Sequence, residues 1–225
     1  MKVSGCLASM HLKECKGIHQ FRMNFQFKNG LLLIVMPLFF FYSNDKKPSL
    51  RHLDECTIPL SRLKEGDIIL RKGKGLISEL LSKTALEDQT FSHAGILLKF
   101  GNQWMVCHAI GGESYPAQGV QLESINDFTS RHVADSIAVF RYRLKPGEVD
   151  LLKLRCVEYI RMKVPFDSQF DYADDNALYC TEMVSKVFNY ASKGRISLPL
   201  TSRAGWTYIT CENLYHNAYA EQVRF

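Results

Sequence analysis

Three residues of this chain have types and settings that could do chemistry: Cys180, His93 and His108. Cys180 lies in Leu178-Tyr179-Cys180-Thr181-Glu182-Met183-Val184, an apolar-patterned run that reads as the start of a helix. A thiol there faces unpaired backbone N–H groups and the positive end of the helix dipole, which lowers its pKa. The same N–H groups could hold an oxyanion on an attacked carbonyl. His93 opens a strand in Ser92-His93-Ala94-Gly95-Ile96-Leu97-Leu98 and is placed to act as the base for such a thiol. His108 ends the next strand, Trp104-Met105-Val106-Cys107-His108-Ala109, across a Gly101-Asn102 turn. Counting outward from that turn sets the two histidines roughly opposite each other, where the second imidazole could fix the tautomer of the first.

Each residue taken singly also has a plainer reading. A free cysteine is most often a buried small hydrophobe, and a strand histidine is often a satisfied core residue. A His-His-Cys metal site lacks a carboxylate or a second Cys at ligand spacing, so neither metal nor cofactor is expected. Glu182, two residues after the thiol, reads as a first-turn acid favoured by the dipole or by a capping box. Asp167, Asp171, Asp174 and Asp175 lack the glycine and terminal glutamate of a calcium loop, which points to turn and capping roles. Tyr179 and Trp206 are candidates to line a substrate pocket, a role that sequence alone does not separate from packing.

The elements that must position these residues follow from periodicity. Leu63-Lys64-Glu65-Gly66 leads as a turn into a strand over 67–71, and apolar spacing predicts a short helix over 75–84. Strands are expected at 93–100 and 103–110, a further one near 120–122, a short helix around 124–130, and a strand over 136–142. Pro146 opens a helix with Glu148 and Asp150 in its first turn and an apolar stripe through Val149, Leu152, Cys156 and Ile160. The helix starting at Cys180 runs to about residue 191, and the last thirty residues read as irregular. The sum is an α+β domain, a small antiparallel sheet packed with helices.

The 225 residues suit one domain with an appended segment. Residues 1–55 carry +4 of the net charge of +5, so the remainder is nearly neutral and offers no electrostatic footprint for nucleic acid. This first part contains an apolar run at 31–42 that has the length of a signal-peptide core and is short for a full membrane span. With Met23 as a possible true start, residues 1–55 are read as a leader or anchor with a linker, and 56–225 as the domain. The expected location is therefore exported or membrane-anchored, in the cell envelope. Among the seven cysteines, no Cys-x-x-Cys pair or zinc-knuckle spacing occurs.

The succession Gly66-Asp67-Ile68-Ile69-Leu70, Ser92-His93-Ala94-Gly95-Ile96 and Tyr179-Cys180-Thr181-Glu182-Met183-Val184 resembles the YiiX-like group of permuted, papain-like NlpC-type hydrolases, relatives of the lecithin retinol acyltransferase family. The resemblance covers about residues 60–220. It implies a circularly permuted papain-like domain, with Cys180 as nucleophile, His93 as base and His108 as third polar residue. YiiX-like members often carry Glu at that third position, and the acyltransferase branch carries His. The implied activity is cysteine-dependent hydrolysis or acyl transfer at an amide or ester bond through a thioacyl-enzyme. The implied substrates are peptidoglycan peptides or lipid acyl groups. A non-catalytic binding or scaffold protein of the same fold is the alternative, against which the intact Cys180 and His93 argue.

Overall fold

The computed structural model describes residues 51–52, 58–74, 76–111 and 118–225. The apolar run at 31–42, and with it the expected leader or anchor, lies outside the described residues. No described helix is long and apolar enough to cross a membrane.

The described residues form a mixed α+β fold around one antiparallel sheet. Its strands are β1 (Arg51–His52), β2 (Ile68–Gly73), β3 (His93–Phe100), β4 (Gln103–Ile110), β5 (Gly119–Ser124), β6 (Ala134–Arg141) and the late β9 (Glu221–Gln222). The order is β1-β6-β2-β3-β4-β5, with β9 also on β6. The expected strands, the short helix α1 (Leu76–Ser82) and the Gly101-Asn102 hairpin are all present. Differences concern the shortest pieces. Arg51–His52, within the stretch read as linker, pairs with Ser136 and Ile137. The supposedly irregular C-terminal region contains a hairpin of β7 (Thr201–Arg203) and β8 (Trp206–Tyr208), as well as β9. Strands of two or three residues are too short to show alternation, so periodicity could not reveal them.

Alternation along the strands gives the sheet two faces. One carries Ile68, Leu70, Ala94, Ile96, Leu98, Cys107 and Phe140, and packs on α3 (Glu148–Arg161) and α4 (Cys180–Ala191). In α3 the buried stripe is Leu152, Cys156 and Tyr159, and Val149 and Ile160 are half-buried. In α4 Met183, Val184, Val187 and Phe188 are wholly buried, which fixes the helix axis and therefore the position of its first residue. The other face carries Ile69, Leu97, Val106 and Val139 under the single-turn helix α2 (Ile125–Phe128). The polar residues Arg71, His93 and His108 lie on this second face, by the same alternation.

Two residues of the first motif are structural. Gly66 has φ +86, the left-handed turn that delivers the chain into β2. Asp67 is 1% exposed and accepts both Arg141 Nε and Nη2 at 2.7 Å, a bidentate pair tying β2 to β6.

Candidate active site

Helix α4 begins with Tyr179 in extended conformation (φ −93, ψ 170), and Glu182 Oε2 accepts the Tyr179 N–H at 3.3 Å. Glu182 is fully buried and its other oxygen pairs with Lys186 Nζ at 2.8 Å. Burial raises its carboxyl to about 7 despite that lysine. The capping role expected of it is the one it fills. The acidic run behaves likewise. Asp167 accepts the N–H groups of Gln169 and Asp171, each at 2.7 Å, and Asp175 pairs with Lys186 at 2.6 Å.

Cys180 is 5% exposed and forms part of the wall of a cavity of about 420 Å³. The backbone N–H groups of Ala94, Thr181 and Cys180 itself favour its thiolate form. Burial nevertheless dominates: the thiol lies above its ordinary value, with those N–H groups and the charge of Arg71 only partly offsetting the desolvation. This corrects the expectation of a lowered pKa at a helix start. Solvent removal, which only the tertiary structure determines, outweighs the dipole.

His93 and His108 meet in a direct hydrogen bond, His93 Nε2 to His108 Nδ1, at 2.8 Å. They are not opposite each other. The pairing of Ile96 with Cys107, continued outward, sets His108 against Gly95 and leaves His93 two residues further along the same face. The missing side chain at Gly95 makes the diagonal contact possible. A Cβ there would sit 2.3 Å from Val106 Cγ1 and 3.3 Å from His108 Cβ. Both imidazoles are buried, and burial followed by the nearby Arg71 charge holds His93 well below its ordinary value and brings His108 down to about 3. Both rings are therefore neutral at pH 7.

Around this pair stand residues that sequence reasoning missed. His108 Nε2 lies 3.3 Å from Glu123 Oε2, which is in turn 3.7 Å from Arg71 Nη1. Arg71 donates to the Phe128 carbonyl at 2.9 Å and lies over the Phe128 ring. That ring stacks on His93 and takes His108 edge-on. Glu123 gave no signal, because its approach to His108 depends on the β4–β5 register. Cys211, a second thiol, also lines the cavity.

His93 and Cys180 approach the first residues of β3 from its two sides. Among the described residues no hydrogen bond joins them. His108 occupies His93 Nε2, which leaves Nδ1 as the ring nitrogen available to the thiol.

The rest of the cavity wall is built by the C-terminal region. Ile209 donates its N–H to the Tyr179 hydroxyl at 2.9 Å and accepts Thr181 Oγ1 at 2.7 Å, so the residue after the hairpin is clamped onto the helix start. Leu81, Phe170, Tyr179, Trp206, Tyr208 and Ile209 give the cavity a mainly apolar lining. Lys83 and Arg203 stand at it, and among the described residues no Asp or Glu lines it. Tyr179 and Trp206, both expected near substrate, therefore line this cavity, Trp206 with 62% of its surface exposed.

A helix-start cysteine on an antiparallel sheet, with the histidine strands preceding it in the chain, defines a papain-like domain in permuted order. Residues 62–199 match the family described as permuted papain-like amidase enzyme, YaeF/YiiX, C92 family, and the chain belongs to that family. Among solved structures, the crystal structure of metalloprotein YiiX from Escherichia coli O157:H7 is similar in fold, with a TM-score of 0.60 at 18% identity over 72% of this chain and 97% of that one. No curated protein matches the chain.

Proposed function

We propose that this protein is a cysteine amidase that cleaves an acyl amide or ester through a thioacyl-enzyme on Cys180. His93 Nδ1 takes the thiol proton once bound substrate draws the two side chains into hydrogen-bond reach, since such contacts are often loose without substrate. The sulfur attacks the carbonyl carbon, and N–H groups at the start of α4 hold the oxyanion. The amine or alcohol leaves with the proton from His93, and water or another acceptor then takes the acyl group. The observation that carries this reading is that Cys180, at the start of a rigid helix, lines a mainly apolar cavity with no Asp or Glu among its described lining residues. That lining favours a lipid acyl group attached to an anionic head over a cell-wall peptide. Attachment to or export across a membrane by residues 1–55 agrees with such a substrate.

The similar E. coli protein is titled a metalloprotein. The donor set here does not suit a metal. Among the described residues no three His, Cys, Asp or Glu converge on one point, and the facing nitrogens of His93 and His108 are engaged with each other.

One observation favours the alternative, a binding protein of this fold: the Cys180 thiol is raised and makes no bond to His93. The two separate on a long-chain N-acyl amino acid as probe. Turnover abolished by Cys180→Ser and by His93→Ala, with an acyl adduct on Cys180 by mass spectrometry, supports the amidase. Stoichiometric binding without turnover, unchanged in both variants, rejects it.

A further inference from the structure

We infer that Glu123 is a positioning residue that sets the tautomers of His108 and His93 in series and so keeps His93 Nδ1 unprotonated toward Cys180. The inference deepens the amidase reading and rests on it for its catalytic consequence. Its structural content stands apart.

An ionised carboxylate only accepts hydrogen bonds, and a neutral imidazole has one N–H and one lone pair. Glu123 Oε2 stands 3.3 Å from His108 Nε2, an ion-pair contact outside hydrogen-bond geometry, and neither buried atom makes a hydrogen bond among the described residues. A carboxylate charge this close electrostatically favours the proton on His108 Nε2, which leaves His108 Nδ1 as an acceptor. That nitrogen is 2.8 Å from His93 Nε2, which must then be the donor. The remaining His93 nitrogen, Nδ1, holds the lone pair a base requires. With the charge at Glu123 removed the chain has no direction. The reverse arrangement, His108 Nδ1–H to His93 Nε2, becomes equally allowed and puts a proton on His93 Nδ1.

Burial raises the Glu123 carboxyl above its ordinary value, and the Arg71 charge offsets that only in part, while the neighbouring groups hold the side chain in place. Arg71 reaches it from β2 at 3.7 Å, and Arg71 is itself anchored to the Phe128 carbonyl and ring. Asp127, at the start of α2, opposes the charge, and His108 faces it from β4. Its side chain is 21% exposed, so the carboxylate is neither stranded nor fully solvated.

The test compares wild type with Glu123→Gln and Glu123→Asp by ¹⁵N imidazole NMR and by kcat against pH on the N-acyl amino acid probe. The wild type should show Nε2–H on both rings. Glu123→Gln should show Nδ1–H on both in a substantial fraction of molecules, with kcat lower by roughly 10- to 100-fold, part of the contribution that general base catalysis makes. Glu123→Asp should restore the wild-type tautomers and most of the rate. Nδ1–H on either ring in the wild type, or tautomers and rate unchanged in Glu123→Gln, overturns the inference. Absence of turnover in the wild type defeats the amidase reading alone, because the NMR result does not depend on activity.

Discussion

His93 and His108 face each other edge to face across β3 and β4, ring planes at 81° and Nε2 to Nδ1 at 2.8 Å. This hydrogen bond fills the vacancy above Gly95 and makes one imidazole the support of the other.

Replacing His108 by Phe should keep the volume and remove the acceptor. His93 Nε2 then loses its partner and its ring orientation. We expect kcat to fall by about 100-fold, within the range for general base catalysis, with KM little changed. Steady-state kinetics on the acyl amide probe measure it, and an unaltered kcat would remove His108 from the site.

The pH dependence follows from the direction of the shifts. His93 must be neutral to accept a proton, and burial keeps its folded pKa well below 6.5. Activity should therefore persist below pH 6.5 and fall only in more acidic solution, as pH drops through that lowered value. The thiol is raised, so alkylation of Cys180 by iodoacetamide in the absence of substrate should be slow at neutral pH and increase above pH 9. An acid limb at an ordinary histidine value, or fast alkylation at pH 6, would contradict these environments.

Stability should carry the same signature. Below pH 6.5 an unfolded chain protonates both histidines while the folded one does not, so folding loses about 1.4 kcal/mol per pH unit for each of them. For His108 this loss continues down to about pH 3. Denaturant titrations between pH 7 and 5 should steepen accordingly, and the His108→Phe variant should show about half the slope attributable to the pair.

Gly95→Ala should unfold more readily. Its Cβ would lie 2.3 Å from Val106 Cγ1 and 3.1 Å from the Cys107 carbonyl, backbone that has no room to yield. Overpacking of this kind costs about 1–3 kcal/mol, readable as a lower midpoint in thermal or urea unfolding.

Trp206→Ala should separate binding from folding. The indole is largely exposed on β8 yet lines the cavity, so its loss should leave the unfolding midpoint within about 0.5 kcal/mol of wild type. We expect KM for a long-chain acyl probe to rise several-fold with kcat nearly constant. An equal KM would place the acyl chain elsewhere.

Much of this arrangement is legible in the sequence because it is local. Glycine and asparagine at 101–102 announce the β3–β4 hairpin, and the apolar pattern after Cys180 announces α4. What sequence does not reveal depends on distant residues coming together. Glu123 and Arg71 look like ordinary strand-end charges until register brings them to His108. The raised thiol pKa has no local signal, because Cys180 is buried among residues distant in sequence, with Ile209 bonded to its neighbours Tyr179 and Thr181. Short strands such as β1, β7 and β9 owe their existence to a neighbouring edge and have no pattern of their own.

The order of the parts has a consequence for the protein's birth. Synthesis proceeds from the N-terminus and structure forms as the chain emerges. The strands bearing Arg71, His93, His108 and Glu123 leave the ribosome well before Cys180, and the cavity wall from the hairpin to Ile209 comes last. The Cys180 thiol thus emerges after the strands that flank it. A truncated chain ending before residue 201 would lack the Trp206, Tyr208 and Ile209 wall of the cavity that Cys180 lines. In this permuted order, finishing the chain is the final step in assembling the site.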